Sequence, residues 1–180
     1  MVTFAVPDKL TAEEIRTIRR KLGLTRAEFA RLANVSKKTV ERWEAGEKEI
    51  GGPIAALVKL LWEYPQMKEE LTVPDKKYPL RLWYMEGSRV CTIIDVDERS
   101  RKVKVHNYTT DYIARAFGKE ENPDFEAYEA FLESRCFPRS RDKMKLTLRE
   151  LDLPFYEPLL IIEKTQGRMA EDDFWLRIER

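Results

Sequence analysis

The sequence predicts an α+β protein: an all-α first part of four or five helices, then a small α+β domain built on an antiparallel sheet. Three observations lead there. Between residues 10 and 62 the apolar residues recur at three- and four-residue spacings, and three of the runs open on Ser or Thr and close on Gly or Asn. From residue 80 the chain changes character: RLWYM, VCTIIDV and KVKVHNY are short runs rich in β-branched and aromatic residues, and the terminal DDFWLRIER alternates Phe174, Leu176 and Ile178. Between these parts lies PQMKEELTVPDKKYP, with three prolines, six charged residues and little periodicity, the composition of a linker. The expected organisation is a helical domain over 1–64, a linker over 65–79 and an α+β partner-binding or regulatory domain over 80–180.

Residues 1–10 form a short arm in which Phe4 and Val6 are placed to pack or to add a strand. Thr11 caps the first helix and Glu14 completes a capping box; Ile15, Ile18 and Leu22 make its buried stripe, and Gly23 stops it. Arg16, Arg19 and Arg20 face outward, as a solvated surface or, alternatively, toward a phosphate. Thr25 and Glu28 repeat the capping box for a second helix, with Phe29, Ala30 and Ala33 on one face and Leu32 beside it. Ala33-Asn34-Val35 is a tight turn that supplies Asn where a left-handed residue is needed. Ser36 caps the third helix, Val40 and Trp43 point inward and Gly46 ends it, which leaves Lys37, Lys38, Glu41 and Arg42 on the solvent side. Two short helices so joined have the geometry of a helix-turn-helix, whose second helix reads base edges in the DNA major groove. Gly51-Gly52-Pro53 then breaks the chain before a helix with Ile54, Leu57, Val58, Leu61 and Trp62 on a wide apolar face. That face closes the helical core or offers a dimer contact.

In the second part DERSR is a charged hairpin turn between two of the β-rich runs. Asn122 as cap and Pro123 at the first position open a helix carrying Phe125, Tyr128, Phe131 and Leu132. SRCFPRSRD interrupts. KMKLTLRELDL is a short amphipathic helix before Pro154, and YEPLLIIEKTQG a helix closing at Gly167.

The motif resembles the Cro/phage-repressor class of helix-turn-helix regulators, the XRE family, over roughly residues 10–62. TRAEFA matches the opening of the family's first motif helix, VSKKTVERWEAG its recognition helix and LTAEEIRTIRRKLGL the helix before both. The resemblance implies double-stranded DNA as partner, base contacts from Lys37, Lys38 and Arg42 with Glu41 on the same face, and phosphate contacts from Ser36, Thr39 and Lys48. Arg26 stands where the family usually has a phosphate-contacting Gln, so charge would replace the amide there. A homodimer on an inverted-repeat operator follows, acting as a repressor of antitoxin-like type. The segment from about Leu132 onward, with its Arg-rich entry, LDL, YEP, KTQGR and DDFW, is similar to a segment associated with HipA-like kinases of toxin–antitoxin systems. This likeness implies that residues 80–180 dock to such a kinase, or to another protein partner, without phosphoryl-transfer activity of their own.

Composition narrows the remaining classes. With 33 basic and 32 acidic residues the chain has a formal charge of +1, unevenly shared: residues 1–64 hold 12 Lys/Arg against 9 Asp/Glu, a balance of +3, and the rest is −2. Two cysteines, Cys91 and Cys136, are too few and too distant for a metal or disulfide framework. The start of the chain lacks a signal-peptide pattern and no run is apolar enough to span a membrane, so a cytoplasmic protein is expected. No phosphate-cradling, dinucleotide-binding or nucleophile-elbow motif occurs, so neither cofactor, metal nor enzymatic activity is expected. A nuclease or phosphate-transfer reading would rest on Asp172 and Asp173 with the arginines nearby; adjacent carboxylates are more often a turn or a cap. Arg135, Arg139 and Arg141 are expected to pair with Glu133, Asp142, Asp172 or Asp173 rather than to bind an anion. Cys136 and His106 read as structural, and Trp83, Tyr84, Phe174 and Trp175 as core rather than a stacking platform.

Overall fold

A computed structural model describes residue 3 and residues 5–180 and has the expected α+β architecture. Phe4 lies outside the described residues. The chain divides into two compact units, Met1–Val73 and Pro74–Arg180.

In the first unit β1 (Lys9–Leu10) leads into α1 (Ala12–Lys21), α2 (Arg26–Leu32) and α3 (Lys37–Ala45). Next come β2 (Ile50–Gly51), α4 (Pro53–Glu63) and α5 (Met67–Leu71). Capping residues set the boundaries. The Thr11 and Thr25 side chains each accept from the backbone three residues on, while Glu14 and Glu28 reach back to the cap N–H groups at 2.7 Å. Asn34 takes up φ 52° in the turn between α2 and α3. Ile15, Ile18, Phe29, Val40, Ile50 and Leu61, all within 2% of complete burial, form the centre of the core. Val6, in the expected arm, is exposed; the strand there is β1, which pairs antiparallel with β2 (Leu10 opposite Ile50). Trp62 departs from the expected inward face of α4: it is 41% exposed, with the Lys21 ammonium 4.8 Å from its ring centroid. Ala55, Val58 and Leu61 bury that helix instead. The stretch read as a linker carries α5, whose Met67 packs on the helical core.

The second unit is a four-stranded antiparallel sheet covered on one face by helices. Its elements are β3 (Leu80–Glu86), β4 (Arg89–Asp97), β5 (Lys102–Asn107), α6 (Phe125–Ser134), α7 (Met144–Glu150), α8 (Pro158–Thr165) and β6 (Phe174–Glu179). The strand order is β5-β4-β3-β6. Leu80, Leu82 and Tyr84 on β3, Ile94 and Val96 on β4 and Leu176 on β6 meet Tyr128, Phe131, Ile161 and Ile162 from the helices. The β4–β5 turn is held by Asp97, whose carboxylate accepts from the N–H groups of Arg99 and Ser100. The N-cap of α6 is Asp124, accepting from Ala127 N–H at 2.8 Å, not Asn122; Pro123 is buried just before the helix. Asp124, two residues nearer the first turn, stands three residues before Ala127 and so reaches an amide that Asn122 is too far back to cap.

On the opposite face of the sheet Arg81 and Asp95 form a buried two-pronged pair at 2.6 and 2.8 Å. Tyr84 belongs to the core and stacks on Phe174 at 4.9 Å. Trp83 and Trp175 do not: strand alternation turns them away, half-buried, beneath the guanidinium groups of Arg177 (4.2 Å) and Arg168 (5.2 Å). His106 is exposed on β5, with its ring 4.6 Å from that of Tyr108. No helix among the described residues is long and apolar enough to cross a membrane.

Candidate nucleic-acid interface

The third helix is amphipathic by construction. Ser36 accepts from Thr39 N–H at 3.1 Å and bonds the Thr39 hydroxyl at 2.9 Å, which fixes the N-terminus. Gly46, at φ 76°, takes the left-handed conformation that closes the C-terminus and turns the chain away. Val40, Trp43 and Glu44 then face inward.

Glu44 organises the geometry, and it was not among the residues singled out from the sequence. Its side chain is 3% exposed, accepting from Arg19 of α1 through Oε1 and from Arg26 of α2 through Oε2, both at 2.6 Å. Arg16 of α1 adds two hydrogen bonds to the Glu44 carbonyl, at 3.1 and 2.7 Å. Burial pushes this carboxyl up, but the hydrogen bonds from Arg19 and Arg26 outweigh it and hold Glu44 below the ordinary carboxylate range. Three guanidinium groups on two helices thus converge on one position of α3 and set its angle. Arg16 and Arg19 thus do not form the expected outward-facing solvated surface: Arg16 is partly covered and tied to α3, and the Arg19 side chain is only 14% exposed and also donates to Leu24 O. The sequence held a signal for this: positions 40, 43 and 44 share one face at helical spacing, so Glu44 falls beside the inward Val40.

The remaining candidate residues lie on or beside the outer face. Lys37 and Arg42 have side chains 63% and 52% exposed and reach Glu41 at 3.5 Å and Glu47 at 3.7 Å. Lys38, Glu41, Ser36 and Lys48 are exposed, and Thr39 is partly covered. Exposed pairs of this kind are weak and screened by salt, so they leave Lys37 and Arg42 able to exchange a carboxylate for a phosphate or a base edge. Arg26 stands apart. Its side chain is half exposed, and its Nε–H is engaged with Glu44, so here it serves the scaffold.

Several of the charged groups singled out in the second unit are paired within it. Arg135, 6% exposed, donates to Gly167 O, both carboxylate oxygens of Asp172 and Phe174 O at 2.6–3.0 Å. Asp172 is held below the ordinary carboxylate range, first by Arg135. Gly167, at φ 60°, lies so close that a Cβ would meet Arg135 and Leu176 at 3.3 and 3.1 Å. KTQGR and DDFW are thereby the two ends of one arginine-tied loop. Arg139 pairs with Glu133 at 2.7 Å. Arg141 lies 5.7 Å from the Phe137 ring centroid, not in one of the expected ion pairs. Cys136 is buried, and burial pushes its thiol up to about 12, far from a reactive thiolate. No group of three or more potential metal-ligating side chains occurs among the described residues.

Comparison with known proteins bears on the first unit. Residues 15–58 match a protein-family model described as helix-turn-helix. Antitoxin HigA-2 of Vibrio cholerae serotype O1 (strain ATCC 39315 / El Tor Inaba N16961) is 35% identical over 57 residues, which are 32% of this chain and 55% of the relative. The chain thus spans about half the length of the curated relative it matches.

Proposed function

Starting from an XRE-type helix-turn-helix domain over residues 15–58, we propose that the chain is a non-enzymatic, sequence-specific DNA-binding regulator. One observation carries the reading: α3 presents Lys37, Lys38 and Arg42 to solvent while Val40, Trp43 and Glu44 clamp its other side to α1 and α2. A rigid, capped helix with cations on its outer side fits the major groove, and a reader held by three arginines keeps its register. Lys37, Lys38 and Arg42 contact base edges, Arg42 favouring O6 and N7 of guanine. Ser36, Thr39, Lys48 and the free part of Arg26 lie where phosphates pass, and Glu41 discriminates against bases that lack a donor. Two copies on an inverted repeat would place half-sites about 34 Å apart.

The test is selection of duplexes from a randomised pool, followed by titration of the selected site. Arg42→Ala should cost about 1–3 kcal/mol and relax preference at one base pair. Unchanged affinity after joint replacement of Lys37, Lys38 and Arg42 by Ala would remove the reading.

A second reading extends the first: an antitoxin-type adaptor whose second unit grips a protein. Two observations favour it. The first-unit relative is named an antitoxin, and residues 74–180, outside the family match, form a unit with its own core. A HipA-like kinase is the partner the sequence likeness of residues 132–180 points to. Co-purification with the product of an adjacent kinase-like gene supports this, and separate elution of the two proteins at micromolar concentration opposes it.

A further inference from the structure

The face of the second unit's sheet that points away from the helices carries groups the regulator reading does not use. Strand alternation brings two rows of side chains to it. In one row Arg177, Trp83, Ile93 and His106 stand opposite one another across β6, β3, β4 and β5. The row beside it holds Glu179, Arg81, Asp95 and Lys104. With strands about 4.8 Å apart, each row is roughly 14 Å long. Trp175, across from Met85, lies on the same face beyond the first row.

Two observations give this face a ligand class. The first is the state of its rings. Trp83 donates through Nε1 to Glu179 at 3.1 Å, and Trp175 donates to Gly87 O at 2.6 Å. Each indole is thereby held in place with its one N–H satisfied inside the unit, so what it offers a ligand is π surface. Each also carries a guanidinium, Arg177 on Trp83 and Arg168 on Trp175, while Ile93 and Met85, 1% and 7% exposed, make the floor apolar. The second observation is an imbalance of charge partners. The carboxylates here are engaged: Asp95 by Arg81 and the Lys77 N–H, Glu179 by Trp83 and, at 3.9 Å, by Lys76. The exposed cations Arg177 and Lys104 have no carboxylate partner among the described residues, and the Arg168 Nε–H meets only the neutral amide of Gln166. Ring faces that accept any base, beside cations free to take phosphate, suit a single strand of nucleic acid. A duplex brings phosphates but keeps its bases stacked on one another, and an acidic peptide brings charge without rings.

We propose that this sheet face binds single-stranded RNA, with bases stacking on Trp83 and Trp175 and phosphates pairing with Arg177, Lys104 and Arg168. Glu179 favours RNA over DNA. Its side chain is 47% exposed and can only accept, and a ribose 2′-hydroxyl can donate to it where deoxyribose has no donor. The proposal goes beyond the regulator reading and uses no residue of α3, so either can fail without the other.

The experiment follows the fluorescence anisotropy of a short labelled oligoadenylate as the full chain is titrated in. The deoxy oligomer, an RNA duplex of the same length and an oligoglutamate of the same charge are the competitors. The oligoadenylate should bind tightest of the four. Trp83→Leu should weaken it about fivefold or more, the loss of one stacked base. Arg177→Ala/Lys104→Ala should reduce the slope of log affinity against log salt by about 0.7 for each phosphate released, with the melting temperature unchanged. Both of those positions are exposed, so the salt series still decides if Trp83→Leu folds poorly. Lys37→Ala/Lys38→Ala/Arg42→Ala should keep most of the affinity for the oligoadenylate, which separates this face from α3. The proposal is overturned if the duplex, the deoxy oligomer or the oligoglutamate binds as tightly as the oligoadenylate. It is equally overturned if the sheet variants bind unchanged, or if the triple variant of α3 abolishes binding.

Discussion

In the first unit a buried carboxylate gathers arginines; in the second a buried arginine gathers carboxylate and carbonyl oxygens. Glu44 draws Arg19 and Arg26 from two different helices onto its two oxygens, so one short side chain sets the relation of α3 to both neighbours. Arg135 works the other way, its planar fork joining Gly167, Asp172 and Phe174 so that both ends of a loop are tied by one residue. The difference has consequences for charge. In the first unit the acidic hub holds three arginines in place and leaves Lys37, Lys38 and Arg42 on the outside. In the second, Arg81 and Arg135 are buried among oxygens, while most of the other cations and carboxylates stay at the surface.

Arg135→Met attacks the second unit hardest. Breaking a buried pair typically costs about 3–5 kcal/mol, and four hydrogen bonds end here. Denaturant unfolding should show most of that loss; a change under about 1 kcal/mol would mean that the loop holds without its tie. Glu44→Gln should cost about 3 kcal/mol, the lower end of the range, because its partner Arg26 is half exposed.

Acid titration sharpens the same contrast. Glu44 and Asp172 both titrate lower in the folded protein than in the unfolded chain. The stability they add is therefore complete above the ordinary carboxylate range and is lost as pH falls below it, through their folded values. Melting curves between neutral pH and pH 3 should fall on the acid side, and Glu44→Gln should flatten part of that fall. An unchanged acid limb would show that Glu44 does not supply it.

Arg42→Ala separates outer from inner: its cost of about 1–3 kcal/mol should appear in DNA affinity, with stability moving by less than about 0.5 kcal/mol. Lys37→Ala has the smallest expected effect, a loss of about 1 kcal/mol in DNA affinity with relaxed preference at one base pair and no change in unfolding. A stability loss in either variant that matched the loss in binding would erase the distinction between the two faces of α3.

Much of this was legible from local chemistry. Thr11–Glu14, Thr25–Glu28, Ser36 and Gly46 mark helix ends because capping depends on residues three or four apart. The β3, β4, β5 and β6 runs are likewise visible in strand alternation. Periodicity does not place Trp62, because α4 is apolar almost all round and the pattern alone does not say which side is covered. Trp83 and Trp175 are not placed by their neighbours either, because aromatic residues occupy both faces of β3 and β6, and only the helices decide which face is interior. Arg16, Arg19 and Arg135 look alike in sequence to arginines that stay in water. What brings them inside is an acceptor 25 to 39 residues away.

The sequence by itself determined the caps of α1, α2 and α3, the main strands of the second unit, the α+β class and the cationic outer face of α3, since each depends on neighbours within a turn or a pleat. Only the tertiary structure decided that Glu44 is the hub of the first unit and that Arg135 ties the second. Those depend on desolvation and on pairings between distant segments. A buried charge is set by the groups that surround it in space, and the order of residues along the chain carries that information only once the chain has folded.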